Sequence, residues 1–305
     1  MITVESFFNE INNEKFYYYP NPGNAGDALI QLGIFHFFKK NNINYSLFGG
    51  NSFNPDNKNI IYSGGGNLGK MGNHSVRVLN ELHSSAKRII ILPHTIKDID
   101  PLLKEMGDNV FIFCREKKSY NYVKSCNSKI NVFLDHDMAF HLNINDIDNK
   151  GLRYLTIKNT FIFILNKLKL TGNPTIAMGG LLKLLNYNSI IKRILSKSKA
   201  NNASVLNCFR TDGEKTNIEI PDNNFDLSEL LSLGIYNEEI CDYVVYKLFS
   251  IIKEFDLIRT NRLHIAVSCA LLGKEVEFYP NNYFKCEAIY KYSLEGEYPS
   301  VIWKG

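Results

Sequence analysis

The chain lacks the features that would place it across a membrane, outside the cell or on nucleic acid. Its 305 residues contain no uninterrupted apolar run of the roughly 18 residues that a membrane-spanning helix needs. The first twenty residues are acidic and have no long apolar core, so we expect no signal peptide. The formal charge of +4 is too small to indicate a nucleic acid partner.

Cysteine is scarce, and its spacing excludes two common roles. The six cysteines are scattered, and none forms the Cys-x-x-Cys pattern of zinc or redox sites. Cys114, Cys208 and Cys269 lie in apolar runs, which predicts buried free thiols rather than disulfides. Free thiols are typical of a reducing compartment, so we expect a cytoplasmic protein.

Strands and helices alternate in the first 140 residues. Apolar runs predict strands at Phe16–Tyr19, Asn59–Ser63, Arg88–Pro93, Val110–Cys114 and Val132–Leu134. Helical spacing follows at Ala28–Lys40, Val76–Ala86 and Ser119–Lys124. This alternation indicates a parallel, doubly wound sheet.

The same alternation returns near the C-terminus. Strands are predicted at 203–209, 257–260 and 275–279, and helices at 241–254, 264–272 and 284–292. We therefore expect two Rossmann-like domains, residues 1–145 and 203–305, facing each other across a cleft.

Acidic residues are absent from most of the segment between these domains. From Lys150 to Ala200 there are ten basic residues and no Asp or Glu, which leaves −6 for the rest of the chain. The segment is also rich in apolar residues, so it is predicted to be a basic amphipathic helical insert, residues 146–202. Such a segment can bind an anionic membrane surface, or it can be a basic bridge packed on its own protein. Both interpretations stay open.

The most informative stretch is Asp256–Gly273. An apolar strand ends at a polar corner with Arg262 and His264, and a helix of small residues follows. Ligands of α/β folds bind where strands end, and helix N-termini attract anions. An arginine here indicates a phosphate or carboxylate ligand, and the histidine can transfer a proton near neutral pH. The alternative is an arginine paired with a nearby acid and a histidine that caps its own helix.

Several loop motifs, taken together and in order, resemble those of the polysaccharide pyruvyl transferase family. They cover most of the chain except the basic segment: Gly23–Asp27, Gly64–Leu68, Leu92–Thr95, Arg115-Glu116 with Ser119, Asp135–Asp137, Arg210–Asp212 with Glu214, Arg262–His264, and Asn281–Tyr283 with Lys285. One departure is His94, where many relatives are expected to have glutamine.

The resemblance implies a two-domain fold of the GT-B type and a reaction. Family members move the enolpyruvyl unit of phosphoenolpyruvate onto two hydroxyls of a sugar, which forms a pyruvate ketal. The implied acceptor is a lipid-linked or nucleotide-linked sugar of a bacterial surface glycan, made on the cytoplasmic face. The basic segment would hold the enzyme near the membrane. No cofactor or metal is expected.

This donor carries a phosphate and a carboxylate, so its site needs several cations. Arg262, Arg210 and Lys285 are the candidates for donor binding, and His264 is the candidate general acid or phosphate ligand. Arg210 can instead form a salt bridge to Asp212 or Glu214, and Lys285 can be a solvated lysine.

Asp27 has two possible roles: a base for the acceptor hydroxyl, or the N-cap of the first helix. Candidates for the acceptor side and its loops are Asn24, Gly64, Gly65, Gly66, Asn67 and Arg115. The glycines let the backbone approach a ligand, or they only form a turn. Arg115 can be a cation of the cleft or the partner of Glu116.

Asp135, His136 and Asp137 look like metal ligands, but a loop with helix caps is the preferred interpretation. Two rival functions remain: a glycosyltransferase that uses a nucleotide sugar, and a glycan-binding protein without activity.

Overall fold

The computed structural model describes residues 2–11, 13–21, 23–49, 53–147, 174–200, 204–234 and 237–305. The chain forms two compact units. The first comprises Met1–Asn21 and Gly33–Leu142, and the second comprises Pro22–Leu32 and Asn143–Gly305. No sequence pattern indicates that Pro22–Leu32 belongs with the C-terminal residues.

The first unit is built on a parallel sheet. Its strands are β1 (Phe16–Tyr19), β2 (Tyr45–Leu47), β3 (Asn59–Tyr62), β4 (Gly65–Leu68), β5 (Arg88–Ile96), β6 (Val110–Cys114) and β7 (Asn131–Leu134). Their order is β2-β1-β3-β5-β6-β7, with β4 also paired to β5. Every residue of β5 after Arg88 is buried, as expected for a central strand covered on both faces.

Helices accompany these strands: α1 (Val4–Ile11), α2 (Ala25–Lys40), α3 (His74–Leu82), α4 (Asp100–Glu105) and α5 (Lys117–Cys126). Short 3₁₀ turns follow at Met138–His141 and Ile144–Asp146. Phe7 and Phe8 of α1 pack on Phe16, Phe37, Phe111, Phe113 and Phe133. Aromatic packing thus stabilises the core of this unit.

The second unit contains a four-stranded parallel sheet of order β11-β10-β9-β8. Its elements are α6 (Pro174–Ala200), β8 (Val205–Cys208), α7 (Leu227–Leu230), α8 (Glu238–Lys253), β9 (Leu257–Thr260), α9 (Leu263–Leu272), β10 (Glu275–Phe278), α10 (Lys285–Ile289), a π-helical turn (Tyr290–Leu294) and β11 (Val301–Trp303). Gly273 ends α9 with φ of 64°, a conformation that glycine adopts without strain.

The predicted mixed α/β architecture with parallel strands is confirmed, and β6 and β9 have the predicted bounds. The sequence patterns missed α1, β2, β4, α4, α7 and β11. Of the two interpretations of the glycine run, the one as only a turn is wrong in part, because Gly65–Leu68 is a strand paired with β5. The two-domain GT-B arrangement stays a prediction.

Two further predictions concern the basic segment and the cysteines. Residues 150–173 lie outside the described residues, while 174–200 form α6, so the insert itself stays a prediction. All six cysteines are free, and Cys114, Cys208 and Cys269 are buried, as predicted. Within the described residues, no helix is long and apolar enough to cross a membrane.

Candidate functional site

Three predicted cations lie together in the second unit. Arg210 follows β8, Arg262 follows β9, and Lys285 begins α10 after β10. Because these strands are parallel neighbours, their carboxyl ends meet at one edge of the sheet. The side chains of Arg210, Arg262 and Lys285 are only 7%, 6% and 11% exposed. The structure therefore brings the predicted donor-binding residues to one place.

Hydrogen bonds hold the strand ends in register. The Thr260 hydroxyl donates to the carbonyl of Cys208 at 2.8 Å and accepts from the backbone N–H of Arg262 at 2.9 Å. The backbone N–H of Arg210 donates to Asn261 Oδ1 at 2.8 Å. The backbones of the two arginines are thus tied to each other, which fixes where their side chains begin.

Carboxylates surround the cations. Arg262 forms a two-pronged contact with Asp226, Nε to Oδ1 at 2.9 Å and Nη2 to Oδ2 at 2.5 Å. Its Nη1 lies 2.9 Å from Asp212 Oδ2, and its Nη2 lies 3.5 Å from Glu229 Oε1. Asp226 also accepts from the backbone N–H of Thr211 at 3.1 Å. Arg262 is therefore rigidly oriented: Asp226 holds its Nε/Nη2 edge, and Nη1 is directed at Asp212.

Arg210 and Lys285 share partners. Arg210 Nε lies 2.8 Å from Asp212 Oδ1, and Arg210 Nη1 lies 2.5 Å from Glu214 Oε2. The same Glu214 oxygen accepts from Lys285 Nζ at 2.6 Å. The salt bridges that the sequence offered as the alternative for Arg210 are present. Lys285 is buried and paired, so its interpretation as a solvated lysine is wrong.

Burial opposes ionisation of these acids, but the surrounding cations outweigh it. The hydrogen bond from Arg210 and the charge of Arg262 hold the pKa of Asp212 well below its ordinary value despite burial. The charges of Lys285 and Arg210 likewise lower the pKa of Glu214 against the effect of burial. Both carboxylates are therefore ionised at neutral pH.

His264 lies half-buried in the first turn of α9, where the first turn of α2 reaches it. A Cβ atom added to Gly26 would lie 2.9 Å from His264 Nδ1 and 3.0 Å from His264 Cβ. Only glycine fits this contact without a shift. Asn24 Nδ2 donates to Glu229 Oε1 at 3.1 Å, and the Ser232 hydroxyl donates to the Gly23 carbonyl at 3.3 Å. The predicted acceptor residue Asn24 thus lies beside the cation cluster.

The start of α2 differs from the prediction. Asn24 Oδ1 accepts from the Gly26 N–H at 2.8 Å, and Asp27 Oδ2 accepts from the Asn24 N–H at 2.9 Å. This reciprocal pair is a capping box in which Asn24, not Asp27, is the N-cap. The prediction of Asp27 as N-cap is wrong, because the helix begins three residues earlier than Ala28 and moves Asp27 into its first turn.

The remaining predicted residues lie in the first unit. The buried Arg115 donates to Asp137 Oδ2 at 2.6 Å and to the Thr95 hydroxyl at 2.9 Å. The prediction of a pair with Glu116 is wrong, since Glu116 instead caps α5 through the Ser119 N–H. Arg115 therefore stabilises the interior of this unit.

Asp135 and Asp137 act as caps, as the preferred interpretation held. Asp135 Oδ2 accepts from the Val4 N–H at 2.6 Å, at the start of α1. Asp137 Oδ1 accepts from the Ala139 N–H at 2.9 Å, at the start of a 3₁₀ turn. Within the described residues, no three His, Cys, Asp or Glu side chains form a group that could hold a metal.

Asn67 and His94 belong to one buried network. His94 Nδ1 lies 3.2 Å from the Ser63 carbonyl oxygen, and His94 Nε2 lies 3.0 Å from the Asn67 side-chain amide. Burial and the charge of Arg115 lower the pKa of His94 to about 3, so the ring is neutral at pH 7. The atom that faces His94 Nε2 is Asn67 Oδ1, while Asn67 Nδ2 donates to Asn21 Oδ1 at 2.6 Å. A neutral ring carries one N–H, so it donates either to the Ser63 carbonyl or to Asn67 Oδ1.

Gly64–Gly66 lie beside this network. Gly65 has φ of 149°, and a Cβ atom there would lie 3.1 Å from Asn21 Nδ2. The backbone conformation of Gly65 favours glycine, and a side chain there would also push against Asn21.

Sequence reasoning missed Asp226 and Glu229. Asp226 precedes the short helix α7 and Glu229 lies in it, and neither segment carries a motif of its own. Their role follows from their contacts with Arg262, which lies 36 residues after Asp226 and 33 residues after Glu229. Asp212 and Glu214 were named in a family motif and as possible salt-bridge partners of Arg210, but not as partners of Arg262 and Lys285.

The family of the chain follows from its similarity to known proteins. Residues 24–282 match the polysaccharide pyruvyl transferase family, and the chain belongs to that family. It is therefore a transferase enzyme with a pyruvyl transfer role on polysaccharide. EpsO of Bacillus subtilis (strain 168), provisionally named a pyruvyl transferase, is 23% identical over 91% of this chain and 84% of its own length.

A solved structure is also similar. The crystal structure of an uncharacterised protein from Klebsiella pneumoniae subsp. pneumoniae NTUH-K2044 matches with a TM-score of 0.73 and 28% identity. The match covers 99% of this chain and 96% of that chain.

Proposed function

We propose that the enzyme transfers the enolpyruvyl group of phosphoenolpyruvate to a sugar of a bacterial surface polysaccharide precursor and forms a pyruvate ketal. The observation that carries this proposal is the cluster of Arg210, Arg262 and Lys285, three buried cations at the carboxyl edge of one sheet. Phosphoenolpyruvate is a small molecule with a carboxylate and a phosphate on one carbon. Three cations within one cluster match these two anionic groups.

The reaction needs one acid and one base. His264, as imidazolium, donates a proton to C3 of the donor, and C2 becomes electrophilic. A sugar hydroxyl attacks C2 and gives its proton to a base, for which Asp27 is the candidate. The C2–O bond to phosphate then breaks, phosphate leaves, and the second hydroxyl closes the ketal as it loses its own proton. The products are one ketal and one phosphate.

Arg262, Arg210 and Lys285 bind the donor and stabilise the charge of the departing phosphate. Asn24 is the proposed contact to the acceptor, because its amide lies beside Glu229 and Arg262. The segment at β4 is proposed to be positioned for acceptor binding by Gly64, Gly65, Gly66 and Asn67. Arg115 supports the same unit from within.

The acceptor is proposed to be a lipid-linked or nucleotide-linked sugar. The amphipathic helix α6 supports a location at the inner membrane surface. Met178, Leu182 and Leu185 recur at helical spacing and are 53%, 56% and 63% exposed, and Lys192 and Arg193 follow along the helix. Exposed apolar and basic residues on one helix are typical of peripheral membrane binding.

The donor identity can be tested by following the leaving group. The purified enzyme is incubated with p-nitrophenyl hexosides and nucleotide hexoses as acceptors, together with phosphoenolpyruvate. Release of inorganic phosphate with a ketal in the product is expected. A nucleoside diphosphate formed from a nucleotide sugar, without consumption of phosphoenolpyruvate, would contradict the proposal and favour a glycosyltransferase.

A further inference from the structure

Two carboxylates of the cluster each join a pair of cations. Asp212 contacts Arg210 at 2.8 Å and Arg262 at 2.9 Å. Glu214 contacts Arg210 at 2.5 Å and Lys285 at 2.6 Å. Along the row Arg262, Arg210, Lys285, one carboxylate therefore occupies each gap between neighbouring cations.

The charge of the cluster opposes binding of an anion. Four carboxylates, those of Asp212, Glu214, Asp226 and Glu229, contact the three cations. The set as it stands carries one net negative charge. An anionic donor gains little from such a set, since every cation already has a partner. At least one carboxylate must leave before the donor binds.

The exposure of the side chains indicates which carboxylates can leave. Asp226 is 6% exposed and binds Arg262 through both oxygens, so it is a fixed partner. The side chains of Asp212 and Glu214 are 37% and 36% exposed. Glu229 is 49% exposed, but it joins no two cations, because its Oε1 contacts Arg262 at 3.5 Å and otherwise accepts from Asn24.

Asp212 and Glu214 also belong to one short turn. The Glu214 N–H donates to Asp212 Oδ1 at 3.0 Å, and Gly213 between them has open space where a side chain would be. A movement of this turn would withdraw both carboxylates at once. The three cations would then face only Asp226 and Glu229, which leaves one net positive charge.

We propose that Asp212 and Glu214 occupy the positions of the donor's two anionic groups in the ligand-free enzyme, and that they select a donor with two such groups. This inference rests on the proposed function and specifies how the donor is recognised. A ligand with a single anionic group replaces one carboxylate and leaves the other between its cations. Only a ligand that presents a carboxylate and a phosphate together replaces both, and thus regains every charge-assisted hydrogen bond that is lost.

The experiment compares three ligands by calorimetry: phosphoenolpyruvate, inorganic phosphate and pyruvate. The wild type is expected to bind phosphoenolpyruvate at least about tenfold more tightly than either single anion. This ratio corresponds to one additional charge-assisted hydrogen bond. Asp212→Asn and Glu214→Gln are each expected to bind all three ligands more tightly. The gain should be larger for the single anions, so the selectivity for phosphoenolpyruvate falls.

Matched controls lie on the same loop. Asp222→Asn and Glu219→Gln remove the same charges at exposed positions and should leave all three dissociation constants unchanged. Asp226→Asn should have the opposite effect and weaken binding, because it releases the fork of Arg262. Circular dichroism of each variant shows whether it is folded. Asp212→Asn and Glu214→Gln are measured separately, so each tests the inference by itself.

The outcomes separate this inference from the proposed function. A wild type that binds no phosphoenolpyruvate at millimolar concentration would contradict the proposed donor. A wild type that binds it, with folded Asp212→Asn and Glu214→Gln variants that bind every anion more weakly, would contradict the role of the two carboxylates alone. Weaker binding would show that they only hold the cations in place.

Discussion

At the scale of residues, the site is a set of cations whose geometry is maintained by fixed acids. Arg262 is held by the buried Asp226, while His264 lies two residues further, against Gly26. A side chain fixed in this way loses little freedom when it binds a ligand. The two residues differ in chemistry, so their substitutions should cause different kinetic defects.

His264→Ala is expected to lower kcat by about 10²–10⁴-fold, the usual contribution of a general acid, with a smaller change in KM for phosphoenolpyruvate. Arg262→Lys keeps the charge but loses the planar fork, so it should mainly raise that KM. Steady-state kinetics on both variants, with circular dichroism to confirm folding, measures the difference. A folded His264→Ala enzyme with wild-type turnover would show that this histidine has only a structural role.

His94 predicts a pH dependence of stability. Its folded-state pKa is lowered from 6.5 to about 3, so the unfolded chain binds this proton first as the pH falls. The contribution of the neutral ring to the free energy of unfolding is complete above pH 6.5. Below pH 6.5 it decreases by about 1.4 kcal/mol per pH unit, until the pH reaches the folded-state pKa. Urea unfolding at pH 7, 6, 5 and 4 should show this decrease. His94→Gln, which does not titrate, should have a shallower slope, and equal slopes would contradict the assignment.

At the scale of elements, the start of α2 combines a structural and a chemical role. Its first turn carries the capping box of Asn24 and Asp27, and it contacts the corner of α9 through Gly26. The cap satisfies backbone N–H groups that would otherwise lack a partner. A carboxylate in this position can stabilise the helix, act as a base, or do both.

Asp27→Asn separates these roles. The asparagine oxygen can still accept from the Asn24 N–H, so the free energy of unfolding should change by less than about 1 kcal/mol. If Asp27 is the base, kcat should fall by about 10²–10⁴-fold. Thermal unfolding and kinetics on the same preparation provide both numbers. Unchanged turnover would leave Asp27 with the capping role alone.

Helix α6 has one buried face and one exposed apolar stretch. Tyr187 and Ile194 are buried, and the Tyr187 hydroxyl donates to the Leu231 carbonyl at 2.7 Å, so one face packs on its own protein. Met178, Leu182 and Leu185 lie exposed along another stretch of the helix. A basic amphipathic helix with such exposure can lie on a lipid surface while it stays attached to its unit.

Co-sedimentation with vesicles tests this behaviour. The enzyme should bind phosphatidylglycerol vesicles more tightly than phosphatidylcholine vesicles, and binding should weaken with salt, since each cation contributes about 1 kcal/mol near an anionic surface. Lys192→Gln with Arg193→Gln should reduce binding. The exposed pair Lys104→Gln with Lys117→Gln serves as the control and should have no effect. Equal binding to both lipids would contradict an electrostatic contribution.

At the scale of the whole molecule, a ligand that binds only the folded state must stabilise it. The donor cluster draws residues from the loops that follow β8 and β9, from α7 and from the start of α10, so its occupation couples several elements. We therefore expect phosphoenolpyruvate to raise Tm, with a stabilisation of about 2.7 kcal/mol at one hundred times its dissociation constant. Differential scanning calorimetry with a donor series measures this shift. A shift with a nucleotide sugar and none with millimolar phosphoenolpyruvate would contradict the proposed donor.

The sequence by itself determined the elements whose patterns are local. Strands β6 and β9 have the predicted bounds, because an apolar run between polar residues reports burial directly. The corner of Arg262 and His264 was predicted for the same reason, since it follows a strand and precedes a helix. The ordered loop motifs indicated the family, which the comparison confirmed.

Only the tertiary structure decided which side chains meet. Asp226 and Glu229 reach Arg262 from a segment without a motif, and Arg115 pairs with Asp137 rather than with its neighbour Glu116. Asn24 and Gly26 meet Glu229 and His264 across more than 200 residues of chain. Such contacts depend on how elements pack, and packing is set by the whole unit rather than by the spacing of residues along a strand or helix.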